Sequence, residues 1–169
     1  MALMATSARI AIGPSRDTAD LDAIRALFSE YARSLGFSLD YQGFEAELAQ
    51  LPGKYAPPEG VLLLARVGEE AAGCVALRQL EPGICEMKRL YVQPAWRALR
   101  LADGRSIGRA LAHRAVDEAR ERGYRRLRLD TIAGKMEAAV RLYRSIGFVE
   151  IPPYYPSPVP ETAYMELVL

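Results

Sequence analysis

Glu86-Met87-Lys88-Arg89-Leu90-Tyr91-Val92-Gln93-Pro94 is followed, after an arginine-rich stretch, by Ser106-Ile107-Gly108-Arg109-Ala110-Leu111. The first segment reads as a strand that stops at Pro94, because proline has no N–H to give a ladder. The second reads as a helix start: Ser106 is a favoured cap, and the first turn of a helix leaves backbone amides without intrahelical acceptors. A strand, a basic loop and such a turn together make a cradle for an anion, suited to a phosphorylated ligand. Beyond it the helix runs to about Arg122 with Gly123 as its stop, and a further strand covers Leu127 to Asp130. A strand-helix-strand unit of this length implies parallel pairing and a right-handed crossover.

Upstream, Val61 to Val67, Ala71 to Gln79 and Ile84 to Val92 form a meander, turned at Gly68-Glu69-Glu70 and Glu81-Pro82-Gly83. Before it come a short strand from Ala8 to Gly13 and a helix capped by Asp17 or Thr18. In that helix Leu21, Ile24, Leu27, Phe28, Tyr31 and Leu35 recur at helical spacing up to Gly36. A weaker helix covers about Phe44 to Leu51. Downstream, a helix from about Met136 to Ile146 ends at Gly147, a strand covers Phe148 to Ile151, and a Pro/Tyr loop leads to a last strand, Ala163 to Leu169. The expected fold class is α/β (α+β): a central mixed sheet of about six to seven strands with about four helices. Met1 to Ser7 is expected to be flexible, and residues 8–169 to form one domain.

The chain has 169 residues, half of them hydrophobic, enough for one core burying about 70% of the surface exposed when unfolded. Its 22 basic and 21 acidic residues nearly cancel, which gives no electrostatic case for nucleic acid or an anionic membrane. Residues 88–128, however, hold twelve Lys/Arg against four Asp/Glu, an excess of +8, whereas the remainder has ten against seventeen. Solvated helix faces account for the basic residues of 114–128; Arg97, Arg100 and Arg105 lie in the loop itself. Cys74 and Cys85 fall in apolar runs without metal-ligand spacing, so free core thiols and a reducing, cytoplasmic compartment are expected, with no metal. His113, the one histidine, shares a polar helix face with Arg109, Asp117 and Arg120, opposite Ile107, Leu111, Ala115 and Ala119, and is given no catalytic role.

Three pieces stand in order: Leu90-Tyr91-Val92-x-Pro94, Ile107-Gly108-x-x-Leu111, and Ala139-x-x-Leu142-Tyr143-x-x-x-Gly147-Phe148. Together they resemble the GNAT superfamily of acetyl-CoA-dependent N-acyltransferases, and the element order over residues 8–169 is similar to that fold throughout. The resemblance implies acetyl-CoA as acyl donor. Its pyrophosphate would lie on the amides from Ser106 to Arg109, aided by the helix dipole, and its pantetheine arm along Leu90, Tyr91 and Val92 like an added strand. Two departures stand out. The family loop usually reads Arg/Gln-x-x-Gly-x-Gly/Ala, whereas here Asp103-Gly104-Arg105-Ser106-Ile107-Gly108 occupies the frame, with about six residues inserted after Arg97. Arg97, Arg100 or Arg105 would replace the lost contacts; the alternatives are a disordered insertion or poor cofactor binding. Met136 stands where many relatives have Asn.

In the implied reaction an acceptor amine attacks the thioester through a tetrahedral oxyanion held by amides near Leu90 to Val92, and coenzyme A thiolate departs. Making an amine of pKa near 10.4 neutral at pH 7 costs about 4 kcal/mol, so a base matters. Glu86 is the candidate, and strand alternation puts it on the same side as Lys88 and Leu90; the alternatives are an ion pair with Lys88 or an arginine, and water as base. Tyr143 is the family-matched acid for the thiolate. Tyr154 and Tyr155 either wall the acceptor pocket or pack as turn aromatics. The expected activity is N-acetylation of a primary amine of a small molecule, amino acid or peptide end. The competing readings are a non-catalytic acyl-CoA-binding or sensor module and, weakest, a nucleotide-binding domain, which would need glycine spacings absent here. An exposed strand edge in this fold often supports a homodimer.

Overall fold

The computed structural model describes residues 9–169; the N-terminal stretch Met1 to Ser7 and the expected strand start at Ala8 lie outside the described residues. The elements are β1 (Ile10–Pro14), α1 (Thr18–Ser34), α2 (Phe44–Gln50), β2 (Val61–Val67), β3 (Glu70–Glu81), β4 (Ile84–Val92), α3 (Ile107–Glu121), β5 (Arg126–Ile132), α4 (Glu137–Ile146), β6 (Val149–Ile151) and β7 (Thr162–Val168). They build one seven-stranded mixed sheet in the order β1-β2-β3-β4-β5-β7-β6. Every neighbouring pair is antiparallel except β4 and β5, the two strands joined through α3.

Local chemistry sets the helix starts. Asp17 caps α1 by accepting the Asp20 amide at 2.9 Å, and Ser106 caps α3 by accepting the Arg109 amide at 3.1 Å. On one face of the sheet Leu63, Leu77, Met87 and Leu127 pack with Ile107 and Leu111 of α3 and Tyr143 of α4. On the other, Leu62, Leu64 and Cys74 pack with Ile24 and Phe28 of α1, Phe44 of α2 and Tyr55. Each such fully buried side chain contributes about 1.5–3 kcal/mol of transfer free energy. Cys74 and Cys85 are buried free thiols, and burial pushes both up, Cys85 to about 12.

Two irregularities position the site. The first is a fork. β4 and β5 pair only at Ile84↔Arg126, Cys85↔Leu127 and Glu86↔Arg128. β4 then continues to Val92 on β3, and β5 to Ile132 on β7, so their facing edges diverge without ladder partners.

The second is a bulge. Cys74 pairs with Tyr91 but Ala76 pairs with Lys88, so Val75 of β3 opposes both Arg89 and Leu90 of β4, and Arg89 has φ +62°. The extra residue resets alternation. Cys85, Met87, Leu90 and Val92 pack with the α3 face, whereas Tyr91 packs with the α1 side and Arg89 reaches Glu47 of α2. The expectation that Glu86, Lys88 and Leu90 share one side is therefore corrected: Leu90 lies opposite the other two. Gly73 accommodates the irregular pairing, because a Cβ there would lie 2.7 Å from the Tyr91 carbonyl oxygen.

The inserted residues form a small hairpin rather than a disordered loop. Arg100 bridges Ser106, the Leu101 amide donates to the Arg105 carbonyl at 2.9 Å, and Gly104 turns the chain at φ +87°. Leu99 and Leu101 anchor it on the core.

Candidate functional site

The fork opens into a cleft of about 890 Å³, walled by Met87 to Val92 of β4, Asp130 and Thr131 of β5, Ser106 to Arg109, Leu142 and Tyr143 of α4, and Tyr31 of α1. At one end, Ser106 takes the Arg109 amide on its hydroxyl and the Ala110 amide on its carbonyl. Among the described hydrogen bonds, the Ile107 and Gly108 amides are left without an acceptor, pointing out of the positive end of α3.

The basic loop is divided by local partners. Arg97 and Arg109 line the cleft; Arg97 donates to the Val92 carbonyl at 2.9 Å, and Arg109 to the Ser145 hydroxyl at 2.9 Å. Arg100 and Arg105 do not line it. Arg100 donates to the carbonyls of Arg97 and Leu99, while Arg105 is held by Asp103 at 2.8 Å. Much of the remaining positive excess is also spent elsewhere, with Arg114 and Arg122 on Glu118, and Arg126 and Arg128 on Glu166. Arg141 of α4, by contrast, lines the cleft from outside the basic stretch. His113 sits half-buried on the outer side of α3, outside the cleft lining, and burial together with Arg105 and Arg109 lowers its pKa.

Tyr143 also lines the cleft, buried against Phe148 with ring centroids 5.7 Å apart. Burial raises its hydroxyl well above the ordinary value, with smaller contributions from Tyr31 and Asp130. It stays protonated at neutral pH and is a donor. Leu90, Tyr91 and Val92 run past it on the free edge of β4.

The far end is a network of charges on the α1 side. Glu86 is buried and lies outside the cleft lining. It accepts from Arg78 Nε at 3.0 Å and Tyr154 Oη at 2.6 Å, with Lys88 Nζ at 3.7 Å. Burial pushes its carboxyl up, but Lys88, Tyr154 and Arg78 outweigh burial and hold it below the usual range. An ionised, fully partnered carboxylate of that kind is a weak base at neutral pH. Tyr154 and Tyr155 stack edge to face with each other and with Tyr164, behind the cleft wall. The Tyr155 hydroxyl donates to Asp130, which, unlike Glu86, is among the residues lining the cleft.

The residues that sequence reasoning missed are Lys88 and Asp130 as a pair, Tyr31 and Arg141. Lys88 and Asp130 each lie two positions past the last rung, Glu86↔Arg128, and their Nζ and Oδ2 atoms are 3.7 Å apart across the fork. Only knowledge of the β4–β5 register could have joined them. Among the described residues no three His, Cys, Asp or Glu side chains group to hold a metal ion, and no helix is long and apolar enough to cross a membrane.

The model of the acetyltransferase (GNAT) family matches residues 21–148. An uncharacterized N-acetyltransferase of Schizosaccharomyces pombe is 39% identical over 166 residues, covering 97% of this chain and 98% of that protein. The crystal structure of an acetyltransferase from Streptococcus agalactiae superposes with a TM-score of 0.74 at 21% identity, covering 95% of this chain and 98% of that one. YncA of Salmonella typhimurium, solved with its cofactor acetyl-CoA, superposes with a TM-score of 0.62 at 21% identity over 94% of this chain and 93% of its own.

Proposed function

Since the chain belongs to the acetyltransferase (GNAT) family and is an acyltransferase, we propose that it moves an acetyl group from acetyl-CoA to a primary amine of a small molecule, amino acid or peptide end, by direct attack on the thioester. The observation that carries this reading is the fork, an unpaired strand edge leading from a set of bare helix amides to a buried tyrosine hydroxyl. When bound, acetyl-CoA supplies an activated acyl group and a thiolate leaving group.

The chain's own residues do the rest. The Ile107 and Gly108 amides and the dipole of α3 bind the pyrophosphate, with Arg97 and Arg109 beside them. The free edge of β4 takes up the pantetheine amides as an added strand would, which aligns the thioester with the fork. Backbone N–H groups near Leu90 to Val92 hold the negative charge that develops on the acyl oxygen. Tyr143 donates a hydrogen bond to the departing sulfur. A thiol has an ordinary pKa of about 8.5, below that of a raised tyrosine, so the hydroxyl stabilises the thiolate rather than surrendering its proton outright. Asp130, not Glu86, is the carboxylate that the cleft presents to the incoming amine, and it receives the amine proton directly or through water. Two buried free thiols fit work in the reducing cytoplasm.

Calorimetric titration with acetyl-CoA, beside the Gly108→Glu variant, tests the reading. Micromolar binding by the wild type is expected to vanish in the variant, whose carboxylate would sit at the phosphate cradle. Absence of binding by the wild type would overturn the assignment.

A further inference from the structure

Lys88 stands apart from the other cations around the α1 side of the fork. Arg89 is taken up by Glu47 and Gln42, Arg78 by Glu86, and Lys135 by the Leu35 carbonyl at 3.2 Å. The Lys88 side chain is only 8% exposed and lines the cleft, yet it makes no hydrogen bond among the described residues. Its nearest acceptors, on Glu86 and Asp130, are both 3.7 Å away, beyond hydrogen-bonding distance. The two carboxylates balance its charge without taking a hydrogen bond from it, so its N–H donors are free to turn to an oxygen that a ligand brings.

Asp130 is complementary. Its Oδ2 accepts from Tyr155, its Oδ1 takes no hydrogen bond among the described residues, and Asp130 lines the same cleft. The fork therefore presents one cation and one anion side by side, just past the last rung and on one face.

We infer that the acceptor is a zwitterion, an amine that also carries a carboxylate close to its nitrogen, with its ammonium on Asp130 and its carboxylate on Lys88. This rests on the transferase reading and narrows it. The nitrogen and carboxylate oxygens of a free α-amino acid are about 3 Å apart, by ordinary bond lengths, comparable to the 3.7 Å between Nζ and Oδ2. A peptide N-terminus lacks the carboxylate, and a lysine side chain carries its own too far away. The reaction balances without further reagents: the ammonium gives one proton to Asp130 and on to solvent, the neutral nitrogen forms the amide bond as the C–S bond breaks, and the second nitrogen proton leaves on the coenzyme A thiol or, where thiolate departs, to solvent.

The test is thiol release from acetyl-CoA by the full-length chain, with glycine, alanine, leucine and phenylalanine each set against its amino-acid amide. The amides, whose amines deprotonate more readily, are the better acceptors unless the carboxylate is recognised. Free acids are expected to exceed amides in kcat/KM by about 10- to 100-fold, the range of one charge-assisted hydrogen bond. Lys88→Gln is expected to bring that ratio towards one, and Lys88→Arg, which keeps the charge, to preserve it. A wild-type ratio of one or below overturns the inference while leaving the transferase reading intact, and this arm stands even if Lys88→Gln does not fold. An unmoved ratio in a folded Lys88→Gln protein also overturns it. If no acid and no amide reacts, the inference falls, and the acetyl-CoA titration shows whether the transferase reading falls with it.

Discussion

Replacing Arg89 by alanine should unfasten the bulge from the helix that holds it. The guanidinium lies between β4 and α2, with Nε 2.9 Å from Glu47 Oε2, Nη2 3.2 Å from Glu47 Oε1 and Nη1 2.8 Å from Gln42. The two charged side chains are 3% and 4% exposed, so water screens the pair little. Removing one partner of such a pair costs about 3–5 kcal/mol, because the other charge is left buried. Glu47 keeps Lys54 at 3.1 Å and the Tyr55 hydroxyl at 2.8 Å, which places the loss near the lower end, about 3 kcal/mol. For a chain of this size that is roughly 6–12 °C in Tm. The backbone offers an internal control. At φ +62° a Cβ is strained, so Arg89→Gly should be about 1 kcal/mol more stable than Arg89→Ala despite glycine's looser unfolded chain. Urea unfolding of both variants and of Glu47→Gln measures these differences. A loss below about 1 kcal/mol for Arg89→Ala, or alanine proving more stable than glycine, would refute the argument.

Tyr143→Phe should lower kcat about 10- to 100-fold with little change in acetyl-CoA affinity, read by thiol release and calorimetry; an unchanged kcat would remove the hydroxyl from the chemistry. Arg105→Ala should leave acetyl-CoA affinity within about twofold, because its partner is Asp103 and not the cleft, whereas Arg97→Ala should weaken it about tenfold or more. Stability should fall on acidification. Burial pushes Glu47 and Asp20 up, but Arg89 on the first, and Arg66 and Arg16 on the second, hold both below their ordinary values. A group depressed in the folded state contributes stability above its unfolded pKa, about 4, and loses it as pH falls through the folded value. Denaturation midpoints should decline slightly from neutrality to about pH 5, where the depressed His113 begins to be charged in the unfolded chain, and drop more steeply below it as the carboxylates are protonated; a rise on acidification would contradict the pairing.

The strands and helices were largely legible because each carries its own periodicity and punctuation. Val61–Val67 and Ile84–Val92 coincide with the sequence expectation to the residue, since turn residues bound both runs. The bulge was not legible, because arginine rather than glycine occupies the left-handed position, and its stability comes from Glu47 on a distant helix. That hidden residue is what misplaced Leu90 relative to Glu86. Arg100 and Arg105 looked like phosphate ligands because they lie in a basic loop, but Nη1 of the first is spent on backbone carbonyls and Nε of the second on Asp103, all within that loop, and neither residue lines the cleft. Lys88 and Asp130 belong to different strands, and nothing local to either predicts that the other stands across the fork.

The three-rung join between β4 and β5 also has a mechanical meaning. Shear across a sheet is carried by its ladder bonds, so between β1–β4 and β5–β7 the backbone join is a short seam, and the rest of the coupling falls to the shared core beneath α3 and α4. A molecule threaded into the fork would bond to the free margin of β4 and close the seam from inside. Resistance to heat and to pulling should therefore depend on how full the seam is. A ligand held only by the folded chain adds about 2.7 kcal/mol at a hundredfold excess over its Kd, comparable to the loss expected from cutting the Arg89–Glu47 tie.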